Sequence, residues 1–172
     1  MKIEAKNIKT FRGREGEGFN ATLYFDGVRA CLVDNDAGGG QFRYEWLSGK
    51  QNEEKALQAR TKVEFLKAHK DETEETLKVK GESHWLDWMD VVVATIVMDT
   101  VELASLRRKA AKNALYITPG MKSGMYMVCK TPFSPAVKEE ILKRKPDAKF
   151  LNENLDNGEW KTMLGITDSE LE

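Results

Sequence analysis

Two carboxylates flanking an amide, Asp34-Asn35-Asp36, lead through Ala37 into three glycines, Gly38-Gly39-Gly40. Paired carboxylates beside a flexible loop can hold a divalent cation, and loop amides can cradle an anion. The calcium-loop pattern is not met, because it needs a third acidic or amide ligand and a closing glutamate. The phosphate-loop pattern fails as well, since no Gly-Lys-Ser/Thr follows. No metal and no cofactor is therefore expected. The cluster reads as a wide turn whose Asp34, Asp36, Gly38, Gly39 and Gly40 can serve as a partner- or ligand-binding surface. A second glycine-rich stretch, Gly13-Arg14-Glu15-Gly16-Glu17-Gly18, lacks the dinucleotide fingerprint and has no βαβ unit around it. Arg14 is its best anchor for a partner, because Arg is enriched at interfaces, and Glu15 stands beside it. Whether the two loops meet is not fixed by the sequence.

No catalytic constellation is visible. His69 and His84, the two histidines, are each read as surface residues near charges or a cap. With so few candidate bases, acid–base chemistry would rest on carboxylates or lysines. Cys31 and Cys129 lie in apolar, strand-like stretches and read as buried free thiols. Trp85 and Trp88 are spaced to share a helical face and to pack together against a sheet. The densest basic patch is Lys143-Arg144-Lys145 with Lys138 and Lys149, and Arg107-Arg108-Lys109 is the second. Solvated helix ends are the simpler reading. If the patches adjoin, nucleic-acid contact through Lys143, Arg144 and Lys145 becomes the alternative, with affinity falling steeply in salt.

The elements that must position these groups follow from periodicity. Lys+Arg total 27 and Asp+Glu 28 in 172 residues, a balance that excludes a DNA mimic and disfavours a bulk nucleic-acid binder. Residues 2–11 alternate and then slip, which predicts an edge-like strand with a bulge. Phe19, Ala21, Leu23 and Phe25 alternate ahead of Asp26-Gly27, a strong hairpin signal, and Val28 to Val33 returns. Gln41 to Leu47 is the next strand, so residues 1–47 form an antiparallel meander. Residues 50–82 hold eight charges of each sign and form a charged helical insertion. Ser83 is placed as the N-cap of one long helix over 84–112, with acids early and bases late. Strands at 114–118 and 125–130, a helix at 135–145 capped by Ser134, and a short strand at 148–151 follow. Residues 156–172 are an acidic C-terminal tail. The longest apolar run, Val91 to Met98 broken only by Thr95, is far short of the roughly 20 residues needed to span a bilayer. No membrane association is expected, and Met1-Lys2-Ile3-Glu4 enters directly into a charged strand, so a cytoplasmic location is expected.

Two stretches carry a family resemblance. One is Gly13 to Leu23, then Asp26-Gly27, then Asp34 to Gly40. The other is Thr131 to Lys138, then Lys149-Phe150-Leu151-Asn152-Glu153. Together they resemble a group of small proteins carried by tailed bacteriophages and related mobile elements. The resemblance covers residues 1–47 and 83–155 and brings no catalytic residues. It implies an accessory protein that binds and modulates a host protein, such as a defence system, in the bacterial cytoplasm. The expected architecture is a single α+β domain, a mainly antiparallel sheet of five to seven strands packed on one long helix. A non-enzymatic protein binder is favoured, and a homodimer stays open. A nucleotide-like small-ligand sequestering protein is the alternative, a nucleic-acid-binding accessory protein the second, and an enzyme with a concealed site the last.

Overall fold

The computed structural model of the protein describes residues 1–166. Their contacts divide into two compact units, Met1–Val101 and the residues from Glu102 onward. The α+β class holds, and each unit has a hydrophobic cluster of its own, the larger one in the first unit.

In the first unit, β1 (Ile3–Arg12), β2 (Glu17–Phe25), β3 (Val28–Asn35) and β4 (Arg43–Trp46) form an antiparallel sheet in sequential order. The alternating Phe19, Ala21, Leu23 and Phe25 are all buried, as period two demands of a strand with one face on a core. The hairpin turn takes left-handed φ at both central residues, 46° at Asp26 and 84° at Gly27. Such turns match strand twist and favour Asp-Gly. The slip expected in β1 is real: its register shifts between Lys6 and Lys9, and Asn7 sits at φ 54°.

The charged insertion folds as α1 (Gln51–Ala68) and α2 (Glu74–Lys80). The single helix expected over 84–112 is instead two, α3 (Ser83–Leu86) and α4 (Trp88–Ala110), with a turn at Asp87. Ser83 is the first helical residue and not the cap, a position held by Glu82 without a side-chain bond. The break has a packing reason. Trp85 enters a small cluster with Phe65 of α1 and Leu77 of α2, whereas Val92, Val93, Ile96 and Val97 of α4 join the sheet's core. Trp88 touches both clusters, so the two tryptophans do not pack jointly on the sheet. One carboxylate ties the sheet to α4. Asp90 accepts from the Phe42 amide at 2.8 Å and the Tyr44 hydroxyl at 2.7 Å. Burial, reinforced by that bond, pushes the Tyr44 phenol far above its ordinary range.

In the second unit, β5 (Ala114–Ile117), β6 (Met127–Cys129), α5 (Pro135–Arg144), β7 (Lys149–Phe150), a 3-10 turn at Leu151–Glu153 and α6 (Trp160–Met163) follow in order. The strands form a separate antiparallel sheet, β6-β5-β7, so the seven strands fall in two sheets and not one. Ser134 caps α5 by accepting from the Val137 amide, as its sequence promises. Asn152 is a splint: it accepts from the Leu115 amide at 2.7 Å and donates to the carbonyls of Ala110 and Asn113. Residues 156–166 of the expected acidic tail carry Trp160 and Leu164 into this core. Residues 167–172 of that tail lie outside the described residues. Among the described residues no helix is long and apolar enough to cross a membrane.

Asp90→Ala leaves the Phe42 amide and the Tyr44 hydroxyl without their acceptor. Urea unfolding should show a loss of about 1–3 kcal/mol, the usual cost of stranding part-buried donors. Asp87→Ala, which frees only the exposed Gln41 side chain, should lose less than about 0.5 kcal/mol. Equal losses would show that Asp90 is not the tie.

Candidate functional site

The two glycine-rich loops lie at one end of the four-stranded sheet and meet. The pairing of Phe19 with Asn35 sets the start of β2 beside the end of β3. The Glu15 amide donates to the Ala37 carbonyl at 2.9 Å, and Gly13 closes its own loop by donating to the Gly16 carbonyl at 2.8 Å. The approach is too close for side chains. A Cβ on Gly13 would stand 2.5 Å from the Ala37 Cβ and 2.9 Å from the Asp36 carbonyl oxygen. One on Gly18 would stand 2.5 Å from the Asn35 carbonyl oxygen and from the Phe11 ring. Ala37 itself is buried, at φ 54°, so the second loop is wound tightly under the first.

The polar side chains of Asp34-Asn35-Asp36 are spent on the loop and on its neighbouring strands. Asn35 Oδ1 accepts from the Ala37 amide and Asp36 Oδ1 from the Gly38 amide, each at 2.9 Å. These are Asx turns, the local bonding that draws Asn and Asp into turns. Asp34 accepts from Asn20 of β2 and from the Arg43 guanidinium of β4, and that carboxylate pushes the Arg43 pKa further up. The Glu15 carboxylate lies directly against Gly39, where a Cβ would collide with it, while Gly40 has open space around it. The amides of Gly13, Glu15, Ala37 and Gly38 are thus already bonded within the loops, and a carboxylate occupies the approach to Gly39. Arg14 is exposed and forms no ion pair among the described residues.

The other predicted positions are placed as follows. Lys143 and Arg144 pair with Glu139 and Glu140 one turn back on α5, and Lys138 pairs with Glu153. Lys145 and Lys149 are exposed and form no ion pair among the described residues, so the patch is neutralised in part. Cys31 is free and buried, and burial pushes its thiol up to about 12. Cys129 is free and half-buried, not buried as expected. Among the described residues no group of three or more His, Cys, Asp or Glu side chains could hold a metal ion.

The sequence separates His69 from His84, but the fold of the insertion collects both around one phenylalanine. The Phe65 ring stacks on His69 at 4.0 Å and meets His84 edge-on at 5.4 Å. Glu72 Oε1 accepts from Lys80 and lies 3.3 Å from His84 Nε2, and the bond from Lys80 holds its carboxyl below the usual range. The group joins the α1–α2 connection to α2 and α3 and so stitches the insertion together. Comparison with family models, curated proteins and solved structures finds no match for this chain.

Gly13→Ala should destabilise by about 1–3 kcal/mol, because the new methyl meets backbone and a buried Cβ that cannot swing away. Gly40→Ala, in open space, should change stability by less than about 0.5 kcal/mol. Thermal melts of both variants decide it, and equal effects would mean the two loops are not in contact in solution.

Proposed function

We propose that this chain is a non-enzymatic binding protein whose loop pair at the end of the first sheet docks onto another protein. One observation supports the reading most: the loops are bonded to each other and to themselves, so what they present outward is preset. A preorganised surface loses little conformational entropy when it docks, which is the main way to gain affinity without area. Exposed Arg14 projects from that base, with Glu15, Asp36 and the Asp34–Arg43 pair beside it. Mixed charge of this kind favours a partner with complementary charge and gives orientation more than raw affinity. The resemblance to phage-borne proteins supports a bacterial host protein as the partner. The bonded amides of Gly13, Glu15, Ala37 and Gly38, with the Glu15 carboxylate against Gly39, support a protein-facing surface over a nucleotide pocket, and the pairing of Lys143 and Arg144 with glutamates weighs against nucleic acid.

Arg14→Glu should abolish retention of the partner from bacterial lysate while the melting transition stays unchanged. The triple variant Lys143→Glu, Arg144→Glu, Lys145→Glu should retain it. The same partner held equally by wild type and Arg14→Glu would remove the loop pair as the docking surface.

A further inference from the structure

A second surface, in the other unit, is built from a run of sequence without carboxylates. Between Glu102 and Glu139 the chain has no Asp or Glu, yet it carries Arg107, Arg108, Lys109, Lys112, Lys122, Lys130 and Lys138. Four of these are engaged: Arg107 with Asp156, Lys138 with Glu153, Lys109 with the Tyr126 hydroxyl at 2.6 Å, and Arg108 with the Ala104 carbonyl at 3.3 Å. Lys112, Lys122 and Lys130 are exposed and form no ion pair among the described residues. The run contains the β5–β6 hairpin. Ala114 pairs with Cys129, so Lys112 and Lys130 stand near one end of β6, and Lys122 precedes the other.

The strand between those lysines is open in three directions. β6 pairs with β5 alone, at the edge of its sheet, and β7, next to the acids that neutralise Arg107 and Lys138, lies at the opposite edge. Alternate residues of a strand point to opposite faces, and both Met127 and Val128 are exposed, at 43% and 49%. Met125, just ahead of them, is 55% exposed. Beside the turn, a groove of about 270 Å³ is lined by Ile117, Met121, Met125 and Met163 among others. Methionine is the side chain best suited to adapt to varied apolar partners. The strand is short, and the lysines around it discourage pairing with another copy of the same basic edge while leaving it open to a strand of opposite charge.

We infer that β6 receives an extended acidic segment of another protein, added as a strand along its free edge. Main-chain bonding supplies the affinity in this mode, and alternate side chains supply the choice. The incoming carboxylates meet Lys112, Lys122 and Lys130, and the apolar side chains between them settle on Met125, Met127 and Val128. The charge of the site selects an acidic strand, and the methionines and the open edge select a peptide over a nucleic-acid backbone, which would want stacking aromatics.

The test is fluorescence anisotropy with the full chain and a short labelled peptide alternating glutamate with valine. Controls are the same peptide with lysine for glutamate and a labelled single-stranded DNA. The glutamate peptide should bind, with affinity falling as salt rises. Lys122→Glu with Lys130→Glu should weaken it about tenfold or more. Met127→Ala with Val128→Ala should weaken it severalfold, an effect that charge attraction alone does not produce; all four positions are exposed, so the fold should survive. Arg14→Glu should leave peptide binding unchanged, which separates this surface from the loop pair. Equal binding of the lysine peptide, insensitivity to both double variants, no peptide binding by the folded chain, or binding of DNA alone would each overturn the inference.

Discussion

The contact on which the first unit's proposed role depends is a backbone meeting that leaves no room for Cβ atoms. Glu15 donates across to Ala37, and Gly13 and Gly18 stand where any side chain would strike Ala37, Asp36, Asn35 or Phe11. The glycines therefore serve closeness more than flexibility. Their conformational entropy cost, about 0.5–1 kcal/mol each relative to Ala, is offset by two loops holding each other. Asn35 and Asp36 then complete the second loop by bonding the amides two residues on. The residues that look most like ligands in the sequence are the ones that make the loop rigid.

Carboxylates elsewhere follow the same logic. Asp90 is bonded by the Phe42 amide just ahead of β4 and by the Tyr44 phenol within it, and Glu72 gathers Lys80 and His84. Lys143, Arg144 and Lys138 are answered by glutamates. In a chain this rich in charge, most candidate chemistry is spent on holding elements together. Arg14 on the loop pair and Lys112, Lys122 and Lys130 around the β5–β6 hairpin are among the exposed cations that no carboxylate answers among the described residues.

Much of this was legible in the sequence because it is local. The Asp26-Gly27 hairpin, the slip in β1, the Ser134 cap and the charged insertion all follow from short-range signals. A sequential antiparallel meander also puts the β1–β2 and β3–β4 loops at one end, so their shared end could have been read. Their lateral contact could not, since it rests on the depth to which Ala37 is buried. The break at Asp87 was hidden because Trp85 and Trp88 keep helical spacing while a tertiary cluster with Phe65 and Leu77 draws one of them away. The split into two sheets was hidden for a similar reason: strand spacing does not reveal which core a strand joins. The carboxylate-free run from 103 to 138 is visible in the sequence, but its signal is the absence of acids over a long stretch and not a local cluster of bases.

Amide hydrogen exchange at Glu15, Ala37 and Gly38 tests the central claim most directly, because each of these amides donates a bond inside the loop pair. The account predicts protection at all three comparable to that of the flanking strands β2 and β3. Exchange at the rate of an unstructured peptide, with those strands still protected, would contradict it and leave the loops as loose connectors.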